Sequence, residues 1–115
     1  MVANMEQNTA IQVPSAPDDT PIVVAAFYKF VARPDFQLVQ PKLQAMCQKA
    51  GILGTILLAK EGVNGTVCGS HSALQALMNY FANEPRFADV TPKFSFAESA
   101  AFHRMKVRLK SEIVS

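Results

Sequence analysis

The chain has 115 residues, half of them hydrophobic, and a formal charge of +2. That is the length of one domain, enough to bury a core without cross-links. No apolar run approaches the roughly 20 residues that span a bilayer and no basic and apolar N-terminal pair marks a signal peptide, so neither membrane nor export is expected.

Residues 1–20 carry Glu6, Asp18 and Asp19 but no Lys or Arg, and hold Pro14 and Pro17 among Ser, Asn, Gln, Thr and Ala. They lack an amphipathic period and read as a disordered leader. Without them, residues 21–115 form a domain with eleven basic against six acidic side chains, a formal charge of +5.

Residues 22–31 (IVVAAFYKFV) are rich in β-branched and aromatic side chains and predict a strand near the middle of a sheet. Pro34-Asp35 opens a helix whose Phe36, Val39, Leu43, Met46, Cys47 and Ala50 recur at helical spacing, with Gly51 as its stop. Pro41 must lie in the first turn of that helix or kink it. Thr55 to Ala59 (TILLA) predicts a second strand. Glu61-Gly62-Val63-Asn64-Gly65 reads as the turn of a hairpin, with Thr66-Val67-Cys68 as its return strand. Ser70 caps a second helix with a buried stripe of Leu74, Leu77, Met78 and Phe81, ended by Glu84-Pro85. Lys93-Phe94-Ser95-Phe96 alternates as a fourth strand.

The fifth strand is the most informative. Arg104, Lys106, Arg108 and Lys110 take every second position, with Met105, Val107 and Leu109 between them. A period of two turns this into a cationic face backed by an apolar strip. No Gly, Pro or Asn closes the strand before Ser115, so the chain reads as continuing into a further domain. The order β-α-β-β-α-β plus one strand is an α+β, ferredoxin-like (acylphosphatase-like) sandwich, with two helices on one face of an antiparallel sheet. That fold by itself assigns no chemistry.

The segments VAAFYKFV, GILGTILLAKEGVNGTVCGS, EPRFADV and FHRMKVRLKSEIV, in that order, resemble the N-terminal domain of the rhodanese-like tRNA uridine hydroxylases. The resemblance implies a full-length enzyme that hydroxylates C5 of the tRNA wobble uridine, position 34, with molecular oxygen as co-substrate. It also implies tRNA as a partner, a cytoplasmic setting, and a following rhodanese domain with the reactive cysteine, which this sequence does not contain. Neither Cys47 nor Cys68 matches that catalytic cysteine, so no catalytic residue is expected here. Cys47 and Cys68 lack the spacing of a redox pair and read as buried thiols of a reduced protein. His71 and His103 complete no zinc spacing, and neither a metal nor a cofactor is expected in this domain.

Each candidate site has a plain structural counterpart. Lys93, Arg104, Lys106, Arg108 and Lys110 are expected to contact RNA phosphates, which lend affinity without sequence information; the alternative is an edge strand guarded by charge. Lys60, Glu61 and Asn64 form a candidate polar cluster, set against simple turn chemistry. Phe27, Tyr28 and Phe30 are expected in the core rather than on a base-stacking face, because the strand Thr66-Val67-Cys68 offers no aromatic partner. Acylphosphatase activity is not expected: the segment Val31 to Asp35 has Arg33 but no glycine for a phosphate loop, and TILLA carries no Asn. A non-catalytic docking module that touches no RNA is the remaining alternative.

Overall fold

The structure, a computed structural model, describes residues 10–30, 36–59, 61–85, 87, 90–100 and 102–110. Among them the elements follow the expected order: β1 (Ile22–Phe30), α1 (Gln40–Ala50), β2 (Leu53–Ala59), β3 (Gly62–Gly69), α2 (His71–Asn83), β4 (Lys93–Ala97) and β5 (Met105–Lys110). The sheet runs β4-β1-β3-β2-β5. Its first four strands are antiparallel, which is the ferredoxin-like arrangement read from the sequence.

β5 adds to β2 in parallel, from Gly54 opposite Met105 to Ala59 opposite Lys110, so the sheet is mixed rather than wholly antiparallel. Topology dictates this. β4 finishes beside Ile22, where β1 begins. A chain crossing from there to the far edge meets β2 at its start and must run alongside it.

Both helices cover one face. Pro41 falls within the first turn of α1, where the missing N–H costs no hydrogen bond. A short 3-10 turn at Phe36–Leu38 precedes it. Gly51 ends α1 at φ 80°, a left-handed conformation that glycine adopts without penalty. The Ser70 hydroxyl accepts from the Ala73 amide at 3.1 Å and opens α2. The stripe Leu74, Leu77, Met78 and Phe81 is buried as expected. Phe81 stands edge-on to Phe27 at 5.2 Å and lies 4.9 Å from Phe87, so three aromatic rings join β1, α2 and the segment after it.

The hairpin departs from its expected form. Ala59 pairs with Gly62, which leaves a two-residue tip, and Gly62 to Gly65 belong to β3 rather than to a turn. Gly65 is there for space. A Cβ on it would stand 2.7 Å from Cζ and 2.9 Å from Cε2 of the Phe27 ring, which crosses β3 at this point. The Asn64-Gly65 pair therefore answers a packing demand in mid-sheet.

Part of the expected leader is also ordered against the domain. Val13 is 5% exposed and joins the core. Its amide donates to Gln75 Oε1 at 2.9 Å, its carbonyl oxygen lies 2.8 Å from His71 Nε2, and Gln75 Nε2 donates to the Ile11 carbonyl at 2.9 Å. An irregular chain gains order here because polar side chains of α2 satisfy its backbone. Residues 1–9 lie outside the described residues.

β5 is an edge strand, yet the outer backbone of Met105 and Val107 is covered. Gln44 Nε2 donates to the Met105 carbonyl and Gln44 Oε1 accepts from the Val107 amide, both at 2.8 Å. Gln40 Nε2 donates to the Val107 carbonyl at 2.8 Å. The amide of Gln44 thus takes the place of a neighbouring strand's peptide group, and α1 closes the edge.

Two substitutions test this architecture. Phe81→Ala should lower the unfolding free energy by about 3–5 kcal/mol, as a large-to-small change at a buried ring; an unchanged denaturation midpoint would contradict the packing. Gln44→Ala keeps the helix but bares one amide and one carbonyl of β5, at a cost of about 1–3 kcal/mol. Concentration-dependent association, followed by sedimentation, should accompany it.

Candidate nucleic-acid interface

The face of the sheet opposite the helices is formed by alternate residues whose cross-strand neighbours follow from the register. One row runs Lys93, Ala26, Thr66, Thr55, Lys106 across all five strands. The next runs Tyr28, Asn64, Leu57, Arg108. No acidic residue falls in either row.

Of the expected phosphate-binding set, Lys93, Arg104 and Arg108 are exposed and Lys106 is half-buried. Lys106 and Arg108 stand on this face, on β5, with Arg104 just ahead of them. Lys110 pairs with Ala59 through its backbone, and its side chain is outside the described residues. Lys93 shares the face but sits on the opposite edge strand, four strand spacings or about 19 Å from Lys106. The cations therefore flank a floor of small and polar residues. Behind them Met105 and Val107 are buried as the apolar strip requires, whereas Leu109 is 50% exposed.

The aromatic residues of β1 divide. Phe27 is buried, as expected, but Tyr28 is 48% and Phe30 61% exposed. A core reading for all three is thereby overturned, and strand alternation is the reason: residues 28 and 30 point away from the helices. Their rings meet edge to face at 5.0 Å. The signal was present in the sequence, since an inward Phe27 in β1 obliges Tyr28 to point outward.

Of the expected cluster of Lys60, Glu61 and Asn64, the described residues place Glu61 and Asn64 at different points of the hairpin. Glu61 is exposed at the hairpin tip and Lys60 lies outside the described residues. Asn64 is instead half-buried in mid-strand between Tyr28 and Leu57. Two shallow hollows flank it. One, of about 430 Å³, is lined by Ala26, Tyr28, Asn64, Thr66 and Lys93. The other, of about 330 Å³, is lined by Thr55, Leu57, Asn64, Thr66 and Phe102, the last from the segment joining β4 to β5. Sequence reasoning missed Phe102, because nothing local shows where that connection crosses.

Of the two thiols, Cys47 lies in the core on α1, whereas Cys68, between Val24 and Leu53, shares the strand parity of Asn64 and Thr66. Cys47 and Cys68 are free and buried, and burial pushes the Cys47 thiol up to about 12, far from a reactive thiolate at neutral pH. Among the described residues no group of His, Cys, Asp or Glu could hold a metal ion. None of their helices is long and apolar enough to cross a membrane. β2 carries no Asn, and the segment 31–35, which an acylphosphatase would need as a phosphate loop, lies outside the described residues.

Comparison with known proteins places this chain in a family. The family described as the UPF0176 acylphosphatase-like domain matches residues 22–113. A tRNA uridine(34) hydroxylase of Bartonella bacilliformis is 49% identical over 92 residues, covering 80% of this chain and 30% of the relative. One from Caulobacter vibrioides is 47% identical over 92 residues, covering 80% and 29%. The chain thus spans about a third of the length of these relatives. Among solved structures, the BLUF protein BlrB in its dark state has a TM-score of 0.60 at 18% identity, covering 79% of this chain and 74% of that one. Full-length HypF has a TM-score of 0.58 at 14% identity, covering 83% and 13%. These two likenesses concern the fold alone. The relatives agree with the resemblance to the N-terminal domain of tRNA uridine hydroxylases that the residues carry. The chain belongs to the UPF0176 acylphosphatase-like domain family.

Proposed function

We propose that this domain positions tRNA for an enzyme that hydroxylates C5 of the wobble uridine with molecular oxygen, in the cytoplasm, and that the chemistry lies in a following rhodanese-like domain. The observation that carries the reading is the closed edge of β5. A charged edge strand is ordinarily explained as protection against sheet pairing. Here Gln44 and Gln40 already occupy the outer amide and carbonyls of Met105 and Val107. The cations Arg104, Lys106 and Arg108 are thereby relieved of that duty, and a polyanion is the natural counterpart of a row of three on a domain whose residues 21–115 carry +5.

Replacing Lys106 and Arg108 by Gln should weaken tRNA binding to a similar degree for different tRNAs. The slope of log K against log salt should flatten by roughly one unit or less per lost contact. Stability should change little, since Gln keeps part of each side chain's stem and a surface charge contributes little. Unaltered binding and salt slope would remove the phosphate-contact reading. The chain alone, with tRNA and oxygen, should yield no hydroxylated uridine by mass spectrometry; product formation would place chemistry in this domain after all.

One observation favours a second reading, docking onto another domain. Leu38 and Leu109 are 63% and 50% exposed, and Leu109 lies near the end where β1, β2 and β5 finish. Exposed leucines suit protein contact, and that use is compatible with RNA on the open face.

A further inference from the structure

Resting on the tRNA reading above, we propose that the open face of the sheet holds unpaired nucleotides. One base stacks on Tyr28, the Asn64 amide hydrogen-bonds that base's edge, and the cations at the two sheet edges take the flanking phosphates.

Tyr28 supplies the platform. It is 48% exposed on the outward side of β1, and the Phe30 ring packs against it edge to face at 5.0 Å. A held aromatic ring costs little side-chain entropy when a base settles on it, and every base offers a face to stack. Asn64 supplies the polar reader. Its side chain has a donor and an acceptor side by side, which matches the alternating groups on the exposed edge of a base. Among the described residues that amide makes no side-chain hydrogen bond.

Shape favours nucleotides over a helix. The hollow beside Tyr28 is about 430 Å³, of a size with small-molecule sites. The second hollow, with Leu57 and Phe102 in its lining, adjoins it across Asn64 and Thr66 and offers an apolar seat for a neighbouring base. Paired bases are stacked on each other and cannot lie on Tyr28, whereas a loop's unpaired bases can be splayed out. Charge agrees as well. Lys93 borders the first hollow, Lys106 and Arg108 stand on the strand beyond the second, and the two rows contain no carboxylate to repel a phosphate.

The test compares an RNA hairpin with a seven-nucleotide loop and a blunt duplex of equal length, by fluorescence anisotropy with the 115-residue chain. Tyr28→Ala should weaken hairpin binding about 5- to 100-fold, the loss of one stacked base, while duplex binding and the salt slope stay unchanged. Tyr28→Phe should retain hairpin binding within about threefold, because the ring survives. Asn64→Ala should cost the hairpin about 2- to 10-fold. A second measurement does not depend on an alanine variant folding. The chain has two tyrosines and no Trp, so Tyr80→Phe leaves Tyr28 as the sole emitter, and its fluorescence should be quenched by the hairpin but not by the duplex. Unquenched emission, or hairpin binding indifferent to Tyr28→Ala, would overturn the stacking. If Lys106→Gln with Arg108→Gln still weakens both RNAs in that case, phosphate contact survives and only the stacking is lost. Failure of the unaltered chain to bind either RNA at low salt would sink both readings together.

Discussion

The Phe27 ring lying across Gly65 is the constraint around which this domain is arranged. Phe27 points to the helix side of β1 and fills the volume that any side chain on residue 65 would need. Once there, it gives Phe81 of α2 an edge to pack on, and Phe81 in turn meets Phe87. The central strand is thus thin on one side because the core is thick there. Inward placement of Phe27 also sets the parity of β1. It sends Tyr28 and Phe30 to the opposite face and aligns Asn64 and Thr66 with them.

A second arrangement makes that opposite face usable. α1 does more than cover the core, because Gln40 and Gln44 reach past it to the rim of the sheet and bond to β5. An amide side chain has the same donor and acceptor as a peptide unit, so one residue can stand in for a strand. The rim is closed without spending charge on it. The basic side chains of β5 are left to serve the flat surface.

Much of this was legible in the residues. Element order, the cap at Ser70, the stop at Gly51 and the buried stripe through Phe81 follow from local periodicity and capping chemistry, and the structure has them. The hairpin tip was not legible. Asn-Gly is favoured in tight turns for its backbone freedom, and nothing near residues 64 and 65 announces a phenylalanine almost forty positions earlier that needs the space. The same long range hid the strap at Val13, whose order depends on His71 and Gln75. It hid Phe102 too, which comes from a connection whose path is a property of the whole sheet. The cationic strand, being periodic within itself, was read directly from the sequence. Its covered rim was not, because the glutamines lie some sixty residues away on a helix.

The closed rim of β5 also fixes how copies of this domain could associate. Growth of a sheet from one molecule into the next needs two open rims per molecule, one to give and one to receive. With the outer groups of Met105 and Val107 bonded to α1, the β4 side is the more open of the two among the described residues. Joining there would bring the same strand of two copies together about a twofold axis, and such a contact uses itself up. Strand addition through intact domains is therefore steered towards a closed pair and away from a fibre.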